Sequence, residues 1–105
     1  MAVKDVTLDN FASEISQSEK PVLIDFYADW CMPCKMLSPE VEAFSRETTA
    51  VNVCRINVDV SSDLAAMYGI MSIPTLVIAV SGKEVARQTG GCEKKDIENF
   101  CNANI

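Results

Sequence analysis

An apolar segment, Val22-Leu23-Ile24-Asp25-Phe26-Tyr27-Ala28, constrains the fold of this chain more than any other part of it. Its near-continuous run of branched and aromatic side chains is typical of a strand that is buried on both faces of a sheet. Further strands are predicted over 51–58, 74–80 and 84–89, the last two as a hairpin, and the earlier strands alternate with helical patterns. This order predicts an α/β fold with a central mixed sheet and helices on both of its faces.

The 105 residues are predicted to form one domain, 1–105, because no linker, repeat or low-complexity tract divides them. The net charge of −6 and the scattered lysines and arginines argue against binding to nucleic acid or to an anionic membrane surface. The longest apolar run, Leu76 to Val80, is too short to span a bilayer, and Met1–Asp5 shows no export signal. Five cysteines fit poorly with a secreted disulfide framework, so we expect a reducing, cytoplasmic setting.

A Cys-x-x-Cys pair, Cys31-Met32-Pro33-Cys34, follows the apolar strand and opens an amphipathic helix. Helical positions i and i+3 place their Cα atoms about 5 Å apart, within the range that a disulfide accepts. The free N–H groups and the positive end of a helix favour the thiolate of Cys31. The pair therefore predicts thiol–disulfide exchange, in which Cys31 attacks a target disulfide and Cys34 resolves the mixed disulfide. The alternatives are two unrelated thiols and half a zinc site, and we expect no metal because the chain has no histidine and no second cysteine pair.

Asp25 interrupts the apolar strand with a carboxylate. Burial disfavours the charged form of a carboxyl group, so its pKa is expected to rise toward the working pH. A carboxylate of this kind near Cys34 would take the proton of that thiol as it attacks the mixed disulfide. The alternative is that Asp25 lies on an exposed edge of the sheet and has no role.

Pro74 stands at the start of another apolar strand, in Ser72-Ile73-Pro74-Thr75, where a turn or a cis peptide bond is expected. A cis bond would expose the Ile73 backbone to an extended substrate segment, which would pair with it as an added strand. The alternative is an ordinary trans proline at a strand entrance. Gly90-Gly91 either keeps that surface flat or simply ends a strand.

Trp30 and Met32 flank Cys31, and with Met71 and Ile73 they make up a candidate apolar patch for docking protein partners. The alternative for each of these side chains, taken alone, is a core position or incidental exposure. Among the remaining cysteines, Cys54 and Cys101 are predicted to be small core residues, and Cys92 is predicted to be more exposed.

The chain resembles the thioredoxin family over its whole length, on the segments 25–35, 57–59, 68–70 and 73–75 and on Pro39. The resemblance implies a five-stranded mixed sheet with four flanking α-helices and a cis bond at Pro74. It also implies that Cys31 is the nucleophile, Cys34 the resolving thiol and Asp25 a buried acid/base. Arg55 stands where the family commonly has a lysine near that aspartate. The resemblance further implies that the substrate-binding residues are Trp30, Met32, Pro33, Ile73, Pro74 and Gly90.

The function implied by the resemblance is that of a monomeric protein-disulfide reductase that carries electrons through its dithiol and needs no cofactor of its own. Its partners are disulfide-containing target proteins and a thioredoxin reductase of the NADPH-flavin type, or a ferredoxin-linked reductase. Met32 departs from the usual glycine between the cysteines and lies on the expected docking surface. Two alternatives keep the fold: an interaction subunit with incidental redox activity, and an oxidase or isomerase with a higher reduction potential.

Overall fold

A five-stranded mixed β-sheet forms the centre of the protein in the computed structural model, which describes residues 3–105. The first two residues of the Met1–Asp5 segment lie outside that range. The spatial order of the strands is β1-β3-β2-β4-β5. β3 is parallel to β1 and β2, whereas β4 is antiparallel to both β2 and β5. The strands are β1 (Val3–Asp5), β2 (Val22–Tyr27), β3 (Asn52–Asn57), β4 (Thr75–Val80) and β5 (Lys83–Thr89).

Four helical segments cover this sheet, so the predicted α/β architecture is confirmed. They are a π-helical segment (Ala12–Ser16), α1 (Met32–Glu47), α2 (Ser62–Met67) and α3 (Lys94–Asn104). One face of the sheet packs against α1 and α3 around Leu23 and Leu76. The other face packs against the π-helical segment and α2 around Phe26 and Val77. Because β2 contributes buried side chains to both layers, its apolar run has no polar alternation except at Asp25.

The resemblance implied four α-helices, and the first helical segment differs from that expectation. Its hydrogen bonding is π-helical, with the N–H of Gln17 bonded to the carbonyl of Ala12 at 2.8 Å. The Ser16 hydroxyl also bonds that carbonyl, and this kind of side-chain competition disturbs regular helical bonding. Leu8, which fits the helical spacing, instead lies exposed in the preceding turn.

The β4–β5 hairpin is present as predicted, and its two-residue turn is Ser81-Gly82. Both turn residues have positive φ, 53° and 82°, the combination that matches the twist of the paired strands. A Cβ at Gly82 would lie 3.1 Å from Cβ of Ser16, and the Gly82 carbonyl accepts a hydrogen bond from the Tyr68 hydroxyl at 2.7 Å. The turn is therefore fixed against the layer formed by the π-helical segment and α2. Pro39, one of the positions on which the family resemblance rests, lies within α1.

Candidate active site

Cys31 and Cys34 form a disulfide at the start of α1, with their Cα atoms 5.2 Å apart. Cys31 occupies the N-cap position in extended conformation, and the N–H of Cys34 donates to its Sγ at 3.2 Å. Pro33 falls within the first two helical positions, where its missing N–H is not needed by the helix. The sulfur of Cys31 thus takes the place of the side-chain oxygen that normally caps a helix, in a position that stabilises negative charge.

Both sulfurs are shielded from solvent by apolar neighbours. Cys31 and Cys34 are 4% and 3% exposed, and they cluster with Ala28 against Tyr27 and Ile73. Because their exposure is nearly equal, it does not decide which cysteine attacks first. The helix position does distinguish them, since only Cys31 holds the capping site.

Asp25 is buried at the middle of β2, as predicted, and is 4% exposed. Its Oδ1 atom has no hydrogen-bond partner among residues 3–105. Burial raises the pKa of this carboxyl group from 3.8 to about 7, and the nearby charge of Arg55 lowers it in part. Asp25 therefore titrates in the range where a proton can be both accepted and returned.

A cavity of about 300 Å³ connects Asp25 with the inner cysteine. Its lining includes Asp25, Cys34, Lys35 and Arg55. The expected proximity of Asp25 to Cys34 and to Arg55 is therefore observed, and the two titratable groups share one space.

Arg55 lies directly opposite Asp25 on the neighbouring strand β3. Its Nε donates to Oδ1 of Asp5 on β1 at 2.6 Å, and its guanidinium carbon lies 5.5 Å from the centre of the Tyr27 ring. Sequence reasoning placed Arg55 near Asp25 but did not find Asp5. The two partners are 50 residues apart in the chain, and only the strand pairing brings them together.

The exposed face around the disulfide is apolar. Trp30 is 71% exposed, and its Nε1 donates to Oδ2 of Asp59 at 2.8 Å, which holds the indole ring in place. A groove of about 200 Å³ runs beside it, lined by Trp30, Val58, Ile70, Met71, Ser72 and Ile73. Three of the four residues of the predicted patch, Trp30, Met71 and Ile73, therefore line one groove. The fourth, Met32, is exposed and follows Cys31 in the sequence. The contact between Asp59 and Trp30 was not predicted, because the two residues are 29 positions apart in the sequence.

The Ile73–Pro74 peptide bond is cis, as the resemblance implied. The carbonyl of Pro74 accepts a hydrogen bond from the N–H of Gly90 at 2.9 Å, so the two predicted positions are adjacent. Gly90 has a φ of +92°, a conformation that residues with a Cβ rarely adopt. The glycine is thus required by the backbone at this point, and an added Cβ would meet nothing within 4 Å.

Methionine side chains are distributed in an unusual way. All four methionines within residues 3–105, which are Met32, Met36, Met67 and Met71, are more than half exposed, and Met71 reaches 94%. Methionine is ordinarily among the residues most often buried. The buried core is built instead from branched, aromatic and small side chains.

The other three cysteines form no disulfide within residues 3–105. Cys54 and Cys101 are buried, as predicted, and burial raises the pKa of each thiol, that of Cys101 to about 11. Cys92 is half-buried against the α1–α3 layer, and its sulfur accepts a hydrogen bond from Nε2 of Gln88 at 3.5 Å. Burial also raises the pKa of the Cys92 thiol. All three are therefore poorer nucleophiles than a thiol at the start of a helix.

Neither a metal-binding cluster nor a membrane-spanning helix is found among residues 3–105. Within residues 3–105, no three side chains of histidine, cysteine, aspartate or glutamate meet in a metal-binding group. No helix in the same range is long and apolar enough to cross a membrane.

Comparison with known proteins gives a consistent result. The family model for Thioredoxin matches residues 2–103. Thioredoxin of Porphyra purpurea is 42% identical over 106 residues, which cover 100% of this chain and 99% of the relative. Thioredoxin of Chlamydia muridarum is 42% identical over 90% of this chain and 91% of its own length. Thioredoxin of Rickettsia bellii is 36% identical over 96% and 97% of the respective chains.

Proposed function

Because the chain belongs to the thioredoxin family and is a thiol–disulfide exchange protein, we propose that it acts as a protein-disulfide reductase through Cys31 and Cys34. The observation that carries this proposal is the Cys31–Cys34 disulfide at the start of α1, with Asp25 in the same cavity as Cys34. This arrangement combines an activated sulfur, a second sulfur within bonding reach and a group that holds a proton.

In the first step, the Cys31 thiolate attacks one sulfur of the target disulfide. The target S–S bond breaks, a mixed disulfide forms between Cys31 and the target, and the released target thiolate takes a proton from water. Two features support Cys31 as this nucleophile: its N-cap position and the N–H of Cys34 that donates to its sulfur, both of which stabilise a thiolate.

In the second step, Cys34 resolves the mixed disulfide. Ionised Asp25 takes the proton from the Cys34 thiol, and the resulting thiolate attacks Sγ of Cys31. The Cys31–Cys34 bond forms as the mixed disulfide breaks, and the second target thiolate receives the proton from Asp25. Two electrons have then passed to the target. The burial of Asp25 supports this role, because its raised pKa, about 7, suits a group that both accepts and donates.

Target proteins dock on the apolar surface beside the disulfide. We assign this role to Trp30, Met32, Pro33, Ile73, Pro74 and Gly90, with the groove next to Trp30 receiving a target side chain. The exposure of Trp30 and Met32 and the apolar lining of the groove support this assignment. An extended target segment pairs with the Ile73 backbone in the same step.

The partners are disulfide-containing target proteins and a reductase that returns two electrons and two protons to the pair. We propose a flavin-dependent thioredoxin reductase that uses NADPH as this donor, with a ferredoxin-linked reductase as the second candidate. We propose that the protein acts as a monomer, because Cys31, Cys34 and Asp25 all come from one chain. We propose that the protein carries these electrons in the cytoplasm. The three free cysteines support this assignment, because thiols stay reduced in a reducing compartment.

Reduction of insulin by dithiothreitol tests the proposal. We expect the protein to accelerate precipitation of the insulin B chain and Cys31→Ser to abolish the effect. Cys92→Ser is the matched control, since it removes a thiol that lies outside the disulfide, and it should retain the activity. An active Cys31→Ser protein would overturn the proposal, and a measured reduction potential well above that of a reductase would favour an oxidase or isomerase instead.

A further inference from the structure

Three charged side chains stand in a row across the sheet. Asp5 of β1, Arg55 of β3 and Asp25 of β2 occupy directly paired positions, so all three point to the same face. This face is the one that α1 and α3 cover, and Cys34 of α1 lies over it. The guanidinium of Arg55 is thus flanked by two carboxyl groups, one on each side.

Arg55 bonds the exposed carboxylate rather than the buried one. Its Nε–Oδ1 distance to Asp5 is 2.6 Å, and the side chain of Asp5 is 66% exposed. The guanidinium also lies over the Tyr27 ring, 5.5 Å from its centre, a position that favours a cation. Oδ1 of Asp25, by contrast, has no hydrogen-bond partner among residues 3–105.

We propose that Asp5 is a positioning residue that holds the Arg55 guanidinium away from Asp25 and so keeps the Asp25 carboxyl free to exchange a proton with Cys34. The second half of this statement rests on the proposed function, whereas the first half is a property of the folded protein alone. Asp5 is not among the residues that line the cavity of Asp25 and Cys34. It acts through Arg55.

The electrostatics of the cavity agree with this geometry. Burial raises the pKa of Asp25 and the charge of Arg55 lowers it, and burial prevails because no charged hydrogen bond reaches the free oxygen. A guanidinium released from Asp5 would approach Asp25 and lower its pKa further. The other titratable groups that line the cavity with Asp25 are Tyr27, Asp29, Cys34 and Lys35. Besides burial, the charge of Asp25 raises the pKa of two thiols outside the cavity, Cys92 and, on the opposite face of the sheet, Cys54.

The test is a carboxyl titration of Asp25 by carbon-13 NMR in the reduced protein. We expect Asp5→Asn to lower the pKa of Asp25 by about one pH unit, the lower end of the effect of an opposite charge nearby. Arg55→Gln should raise it instead. Glu84→Gln is the matched control, because it breaks a carboxylate–arginine pair of similar length, 2.7 Å, on the far strand β5.

The decisive measurement is a double-mutant cycle. In an Arg55→Gln background, Asp5→Asn should change the pKa of Asp25 by no more than the Glu84→Gln control does. A shift that survives without Arg55, or no shift with Arg55 present, overturns the inference. A merely structural role for Asp5 would not depend on Arg55 in this way.

The pH profile of disulfide exchange separates this inference from the proposed function. If the pKa of Asp25 falls in Asp5→Asn and the pH profile of the resolving step shifts to lower pH by the same amount, the positioning role of Asp5 and the proposed role of Asp25 are both supported. If the pKa falls and the profile does not move, the positioning of Arg55 is supported and the proposed role of Asp25 as proton acceptor is wrong.

Discussion

Replacing Asp25 with asparagine should stabilise the protein, and the gain should grow as the pH rises. The folded state binds this proton more tightly than the unfolded chain, since its pKa is raised from 3.8 to about 7. The stability that comes from the bound proton is complete below about pH 4 and is lost as the pH rises through about 7. A difference of about three pH units, at ~1.4 kcal/mol each, makes ionised Asp25 unfavourable by about 4 kcal/mol above that range.

Urea unfolding of the oxidised protein, followed by far-ultraviolet circular dichroism, measures this difference. Asp25→Asn and the wild type should have similar free energies of unfolding near pH 4, and the variant should be more stable by about 4 kcal/mol near pH 9. Asp9→Asn, which changes an exposed aspartate in the same way, is the matched control. A stability difference that stays constant with pH, or that grows toward acid, would refute the argument from burial.

A difference of that size is a large part of the total stability of a domain, which is ~5–15 kcal/mol. The wild type therefore tolerates a strongly unfavourable buried charge at neutral and alkaline pH. A trade of stability for activity of this kind is typical of active sites. This reasoning adds an energetic argument to the geometric one for the role of Asp25.

Three other predictions concern the exchange reaction and the docking surface. Cys34→Ser should accumulate a covalent complex with a target protein, visible on non-reducing gels and released by dithiothreitol, whereas Cys31→Ser should form none. Gly90→Ala should lower the free energy of unfolding by about 1–2 kcal/mol because φ is positive there, while Gly91→Ala should have little effect; equal losses for both would contradict the backbone argument. Met71→Asp should lower kcat/KM for insulin several-fold and leave the reduction of a small aromatic disulfide unchanged, and an equal loss with both substrates would exclude a docking role.

The parts of the site that depend on neighbours in the chain could be predicted from the sequence. The Cys31–Cys34 pair follows a strand and opens a helix, and both elements carry clear local patterns. Asp25 could be identified as buried because it alone breaks an apolar run. The buried state of Cys54 and Cys101 followed from the strand and helix patterns around them.

The parts that depend on strand order could not be predicted. Asp5 and Arg55 meet only because β1 pairs with β3, and nothing in either segment specifies that pairing. The bond from Trp30 to Asp59 joins two loops that are 29 residues apart. The π-helical segment depends on hydrogen bonds of single serine side chains, which leave no periodic trace in the sequence.

The distribution of the methionines has a consequence for how this protein can diverge. Side chains that pack the core contribute most to the folding free energy, and the four methionines contribute less because more than half of each is exposed. If Met32 and Met71 contact target proteins as proposed, mutation at either position alters the set of recognised partners at a small cost in stability. Unbranched, polarisable side chains also adapt to surfaces of different shape. Under the proposed docking role, partner choice can thus drift separately from the scaffold and from the dithiol chemistry.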